Sequence, residues 1–321
     1  MILRLLPVHS PGGNEAVGKF IAKSLLQMIP VLVLISLIVF ILVRVTGDPV
    51  ALMLPETATD EDRALLTQEL GLNEPLYKQY GLFIVNAVQG DFGTSFRYNQ
   101  PALPLVLERL PASFELAVAA MVFAIVIAVP AGIWSAVKRN TFSDLFISGF
   151  SVLGKAMPNF WMGIMLILFL SVIFKIFPVS GRGGFSHLVL PAITLGVGLA
   201  AQMTRLIRSS MLEILSQDYI RTARSKGIVE AVVVGKHALR NGLIPVVTIM
   251  SLQFTSLIGG TLITETVFAW PGLGQLLVSA VNTHDMAIVQ AAVFVIAVFV
   301  ILMNLLTDVV YRLLDPRIKY S

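Results

Sequence analysis

Residues 217–241 read QDYIRTARSKGIVEAVVVGKHALRN. This stretch lies between two apolar segments, each long enough to cross a membrane, and carries Arg221, Arg224, Lys226, Lys236 and Arg240 against only Asp218 and Glu230. Elsewhere charge is scarce. Of 321 residues, 13% are charged and 56% hydrophobic, whereas soluble domains average about 25% charged. A soluble surface with so few charges would be poorly hydrated and adhesive. The composition therefore predicts an integral membrane protein.

A helix rises about 1.5 Å per residue and needs roughly 20 apolar residues to cross the hydrocarbon layer. Five charge-free windows meet that length: 24–43, 116–137, 183–204, 241–264 and 286–307. A sixth, AMPNFWMGIMLILFLSVIF at 156–174, follows Lys155 and contains Pro158. We read 141–157 as a short interfacial helix and about 159–177 as the span, with one long kinked helix as the alternative. Six transmembrane helices in an all-α integral membrane protein are expected. With the N-terminus inside, the cytoplasmic pieces hold 15 of the 23 Lys and Arg, and seven of these lie between Arg205 and Arg240. The external pieces hold six, five of them in the long 44–112 region. This asymmetry puts both termini in the cytoplasm, and with them the opening stretch. The net charge of +4 follows topology and does not point to nucleic acid.

The first apolar run is too long for a cleaved signal peptide and reads as a retained signal-anchor. In the external region, TDEDRALLTQELGL offers Thr59 as a helix N-cap, acids in the first turn, and Gly71 as a stop. EPLYKQYGLFIVNAVQG reads as a second, amphipathic helix whose apolar face lies on the membrane or the spans.

Catalytic chemistry is hard to find. Residues 13–20, GNEAVGKF, satisfy the first part of a phosphate-loop pattern, but Phe20 stands where Ser or Thr must hold magnesium. There is no cysteine, and the four histidines are scattered, so no metal site is expected. Among charges at span ends, Glu265 stands out. It precedes TVFAWPGLG, where Trp270, Pro271, Gly272 and Gly274 interrupt a helix. Broken backbone at that depth is tolerated where it is buried in protein or lines a water-filled path. We read Glu265, Trp270, Pro271 and Gly272, together with Gln253, as a pathway or outer gate.

The loop 212–241 is too polar for the membrane interior and too patterned for disorder. SQDYIRTARSKG predicts a short helix with Ser216 as N-cap, Asp218 at its positive end, basic residues at its negative end and Gly227 as stop. Anionic lipid would attract the basic residues. Ala223, a small residue, suggests close approach of a partner.

TARSKG followed by HALRNGLIPV resembles the EAA loop of permease subunits in binding-protein-dependent ABC importers, in the form used by the dipeptide/oligopeptide/nickel branch. GDP (47–49), ELGLNEPLYKQY (69–80), QGDFGTSF (89–96), LPAITLG (190–196), ETVFAWPGLG (265–274) and DPRI (315–318) are similar to the same branch. Arg221 stands where the general EAA pattern has Glu, and Leu243-Ile244-Pro245 is spaced differently; both departures are usual in the peptide branch. The resemblance covers residues 20–321, with 1–19 left as a variable cytoplasmic extension.

What it implies is a type I ABC importer permease fold in the bacterial inner membrane, carrying peptides of dipeptide or glutathione type, with nickel as the runner-up. The implied coupling helix comprises Asp218, Tyr219, Arg221, Thr222, Ala223, Arg224, Lys226 and Gly227, docking on a cytoplasmic ATPase. The implied partners are a second homologous permease, one or two ATPases and an extracytoplasmic binding protein. ATP and magnesium would sit on the ATPases and no cofactor on this chain. An ion-gradient transporter would instead show inverted repeats and buried ionisable groups, which the sequence does not display.

Overall fold

The structure is a computed structural model and describes residues 26–41, 50, 54, 57–69 and 71–314. The extension 1–19 and the segments GDP and DPRI lie outside these residues, as do the flanks of the first apolar window.

The described chain is helical except for one hairpin. Helix α1 (Leu26–Ile41) is apolar. It is followed by α2 (Asp60–Glu69) and α3 (Leu76–Val88). Helix α2 begins where expected: Thr59 Oγ1 accepts from the Asp62 amide at 3.2 Å, and Asp62 Oδ2 accepts from the Thr59 amide at 3.0 Å. This reciprocal cap satisfies two amides that the first turn would leave open. It ends at Gly71, φ +64°, with the Leu72 amide bonded back to the Thr67 carbonyl at 3.0 Å. Helix α3 lays Tyr80 and Phe83 against Phe40 of α1, ring centroids 5.3 and 5.9 Å apart.

The sequence reading did not anticipate the antiparallel hairpin of β1 (Thr94–Ser95) and β2 (Gln100–Pro101). It leads into α4 (Ala102–Val137), whose 36 residues measure about 54 Å and overrun the 116–137 window. Then come α5 (Phe142–Ala156) and α6 (Asn159–Ile173), which meet at a 105° bend. Two helices, rather than one kinked helix, lie within 141–177, and the second stops at Ile173, short of the expected end near 177. Met157 and Pro158 are extended there, with ψ 130° and 136°, because proline disfavours helical backbone at the residue before it. The last part of α6, Ile167–Ile173, is π-helical.

Helix α7 (Phe185–Leu215) runs beside α4 and is followed by α8 (Asp218–Ser225). Next is α9, residues 230–242, with a π-helical middle at Val233–Ala238. Four more helices follow among the described residues: α10 (Ile244–Gly260), α11 (Leu262–Val267), α12 (Leu273–Asn282) and α13 (Met286–Leu314).

Among the described residues, three helices are long and apolar enough to cross a membrane, or four if the bent α5–α6 pair is one span. The windows at 24–43 and 241–264 contain shorter apolar helices.

The main core lies between α4 and α7 and is built from small residues. Ala117, Ala120, Ala124 and Ala128 of α4 are all buried. A Cβ on Gly132 would stand 2.6 Å from Ile207 Cβ, and one on Gly196 would stand 2.9 Å from the Ala120 carbonyl oxygen. Inside a bilayer, hydrophobic burial does not drive helices together, so close backbone approach and dispersion contacts must do so. A second core joins Phe92, Ala102, Val106, Leu273, Leu276 and Ile288 at the hairpin end of α4.

Candidate functional site

Two groups of residues singled out from the sequence occupy opposite ends of α4. At the Val137 end is the loop 212–241. Helix α8 buries Ile220 and Ala223 and exposes Asp218, Tyr219, Arg221, Thr222, Arg224, Lys226 and Gly227. Apolar positions three apart on one turn of helix produce this split. Ala223 is 9% exposed and belongs to the chain's own core, with Ile220, Val233 and Met211. Its small size therefore serves internal packing, and it is not on the outward face.

The start of α8 also differs from expectation. Gln217 occupies the N-cap with no side-chain bond, while the Ser216 hydroxyl donates to the Glu213 carbonyl at 2.7 Å and finishes α7 instead. A serine one residue from a helix end can satisfy either the helix before it or the one after it. The stop is as expected. Gly227 has φ +74°, and the amides of Gly227 and Ile228 reach back to the carbonyls of Arg224 and Ala223. Only glycine adopts that backbone without strain.

This short helix is tied to the next one. Arg224 donates two hydrogen bonds to Glu230, at 3.0 and 2.7 Å, bridging α8 to α9. That pairing holds the Glu230 carboxyl below the ordinary carboxylate range and raises Arg224. Asn241 donates to Tyr219 Oη at 3.1 Å, and Ser210 of α7 donates to the Gly242 carbonyl at 2.9 Å. Nearby, Arg208 of α7 grips Asp144 of α5 through two bonds of 2.7 and 2.8 Å. Asp144 also accepts from the Ser135 hydroxyl and the Asn140 amide. The ends of α4, α5 and α7 are thereby tied together beside the loop.

At the Ala102 end, the interrupted segment 261–275 folds against α4. Glu265 is completely buried. Its carboxyl accepts from the Ser113 hydroxyl at 2.6 Å and from the amides of Gly274 and Gln275 at 2.7 and 3.1 Å. The Ser113 oxygen in turn accepts from the Leu273 amide at 2.8 Å. The first three amides of α12, which have no partner within their own helix, are thus all satisfied.

Trp270 is 1% exposed and donates from Nε1 to the Ala112 carbonyl at 2.8 Å. Gly272 has no room for a side chain, because a Cβ would lie 2.4 Å from Glu265 Cδ. Glu265 and Trp270 therefore face the chain's own interior rather than open space. Pro271 is partly exposed. Gln253 is not part of this group; it lies on α10, at a separate cavity.

Ser113 was not foreseen, nor were the ion pair of Arg182 with Glu115 and the stacking of Arg182 over Trp270 at 5.9 Å. Their partners are distant in sequence, and no local pattern marks them.

Comparison with known proteins places this geometry. Residues 128–320 match the family described as the binding-protein-dependent transport system inner membrane component, and residues 17–117 match the N-terminal region of such membrane components. The chain belongs to this family. The glutathione transport system permease protein GsiC of Escherichia coli (strain K12) is 42% identical over 303 residues, covering 94% of this chain and 99% of that protein. GsiC of Shigella dysenteriae serotype 1 (strain Sd197) matches equally. The inward-facing MetNI methionine ABC transporter shares the fold, with TM-score 0.54 at 20% identity, over 66% of this chain and 96% of that one.

The chain is thus the multi-pass inner-membrane permease of a binding-protein-dependent ABC importer. Permeases of this family have no catalytic site of their own and work with ATPase and binding-protein partners.

Proposed function

We propose that this permease forms half of a translocation pathway for small peptides, of which glutathione is one type, and that α8 is its coupling helix. The pathway is completed by a second homologous permease. The permease region, residues 20–321, crosses the membrane six times with both termini cytoplasmic, 44–112 external and 1–19 a variable extension. One or two ATPases bind ATP and magnesium beneath the loop, and a binding protein delivers substrate outside.

The observation that carries this reading is the form of the loop: an eight-residue helix with a polar, exposed face, bound to α9 by an ion pair and a hydrogen bond, with α9 in turn hydrogen-bonded to α7. A rigid element can pass a displacement from ATPase to spans where a flexible loop would absorb it. ATP-driven closure of the ATPases would then favour one arrangement of the spans over the other. The peptide assignment is supported by the 42% identity to GsiC over nearly the whole chain.

The test is reconstitution of both permeases, the ATPase subunits and the binding protein in proteoliposomes. ATP-dependent uptake of glutathione or tri-alanine is expected, with no uptake of nickel ion. Nickel uptake without peptide uptake would overturn the substrate assignment.

A further inference from the structure

The bend between α5 and α6 opens onto a cavity of about 200 Å³, walled by Lys155, Asn159, Gly198, Gln253 and Ser256 among others. Its depth follows from its neighbours. The α7 residues on its wall, 195–199, and the α10 residues, 253–257, lie well within the apolar windows 183–204 and 241–264. The α5–α6 span is therefore interrupted inside the membrane, where exposed backbone and polar side chains are tolerated only against protein or water.

The wall contrasts with the groove between α1 and α13, about 720 Å³, which is lined by aliphatic side chains except for Asn304. Small residues preserve the space. A side chain on Gly154 would meet Val197 at 3.1 Å, and one on Gly198 would come within 3.9 Å of Asn159 Oδ1.

Lys155 gives this cavity its character. Its ammonium donates to Gln202 Oε1 at 3.3 Å, and among the described residues no carboxylate lies within ion-pair distance. Lys155 is exposed along the cavity, and Gln202 lies two residues from the cytoplasmic end of the 183–204 window, so the ammonium stands at the inner side of the cavity with a neutral partner and is available to an anion that enters it. A space of about 200 Å³ suits one end of a short peptide rather than a whole tripeptide.

We propose that this cavity is a substrate subsite, in which Lys155 receives a peptide carboxylate in transit. Asn159, Gln253 and Ser256 supply hydrogen bonds to the adjoining amide group. The proposal rests on the peptide reading above and assigns it a contact point on this chain.

The complete transporter in proteoliposomes tests it. The chain has no native cysteine, so Ser256→Cys places a single thiol on it. An anionic methanethiosulfonate should modify that thiol several-fold faster than a cationic one, and Lys155→Met should abolish the preference. Tri-alanine supplied with binding protein and ATP should slow the modification. Val172→Cys, on the exposed apolar side of α6, should react with neither reagent.

In uptake, Lys155→Met should lower tri-alanine transport by about tenfold or more, the scale of a lost charge-assisted bond, while Lys155→Arg retains most of it. ATPase assembly should be unchanged in both. An unreactive Ser256→Cys, or reactivity without charge preference, overturns the subsite. Undiminished uptake by Lys155→Met also overturns it but leaves the peptide reading intact. Absence of peptide uptake in the unmodified transporter removes the peptide reading, and the subsite with it.

Discussion

Glu265 shows how one side chain can hold a broken segment in place. Its carboxyl serves two amides at the start of α12 and the Ser113 hydroxyl of α4, with no exposure to solvent. Replacing it by glutamine keeps the size but turns an NH₂ group toward donors. An unsatisfied buried polar group costs about 1–3 kcal/mol, so Glu265→Gln should lower the melting temperature of the purified complex by several degrees. Gly272→Ala forces a methyl into the same carboxyl and should produce a comparable or larger loss. If Glu265→Gln melts with the unmodified protein, the carboxyl is not the clamp described. The sequence marked this segment as interrupted, because Pro271, Gly272 and Gly274 are local signals. It could not show that Glu265 turns inward, since Ser113 is 152 residues away. Ala223 carried a similar ambiguity: its size was legible, but the direction it faces depends on α7 and α9.

At the scale of elements, the legible features were those that a helix decides within one turn. Thr59, Gly71 and Gly227 all act as read, because their bonds span three to five residues. Ser216 failed because two helix ends compete for it. Pro158 announced the α5–α6 break, but its 105° angle depends on packing against α7. The α4–α7 contact is the element pair on which the fold rests most. Gly196→Val would drive a branched side chain into Phe123 and the Ala120 carbonyl. Overpacking costs about 1–3 kcal/mol, or more where backbone blocks relaxation, so the variant should accumulate poorly in membranes and melt earlier. Normal yield and melting would show that the two helices are less closely apposed.

The α8–α9 bridge responds to pH in a defined direction. Pairing with Arg224 lowers the Glu230 carboxyl from its ordinary value of 4.5, so the folded state binds its proton less readily than the unfolded state does. The bridge therefore contributes fully above that ordinary value and fades as pH falls through the lowered one. Both groups are substantially exposed, so solvent screens the effect and keeps it small. Hydrogen exchange at residues 225–232, corrected for intrinsic rates, should show protection lost in acid. Glu230→Gln should begin with that loss and show little further change. The same acid response in both proteins would contradict the assignment.

In the whole molecule an exposed helix lies at one end of α4 and a clamped segment at the other, with a polar cavity at the bend between α5 and α6. Composition and periodicity indicated a membrane protein built of helices, and the loop motif indicated its family. The hairpin, the α5–α6 angle and the cavity come from tertiary packing that no window of sequence contains. The central claim is that α8 is the contact through which an ATPase acts on this permease. Because the chain lacks cysteine, a photoactivatable cross-linker can be attached at Thr222→Cys, on the exposed face of α8, in the assembled transporter. A cross-linked product containing the ATPase is expected, formed more efficiently when ATP is bound, with no such product from a label at Lys138→Cys on the neighbouring turn. Cross-linking to lipid alone from Thr222→Cys, or an ATPase product from Lys138→Cys and not from Thr222→Cys, would contradict that claim.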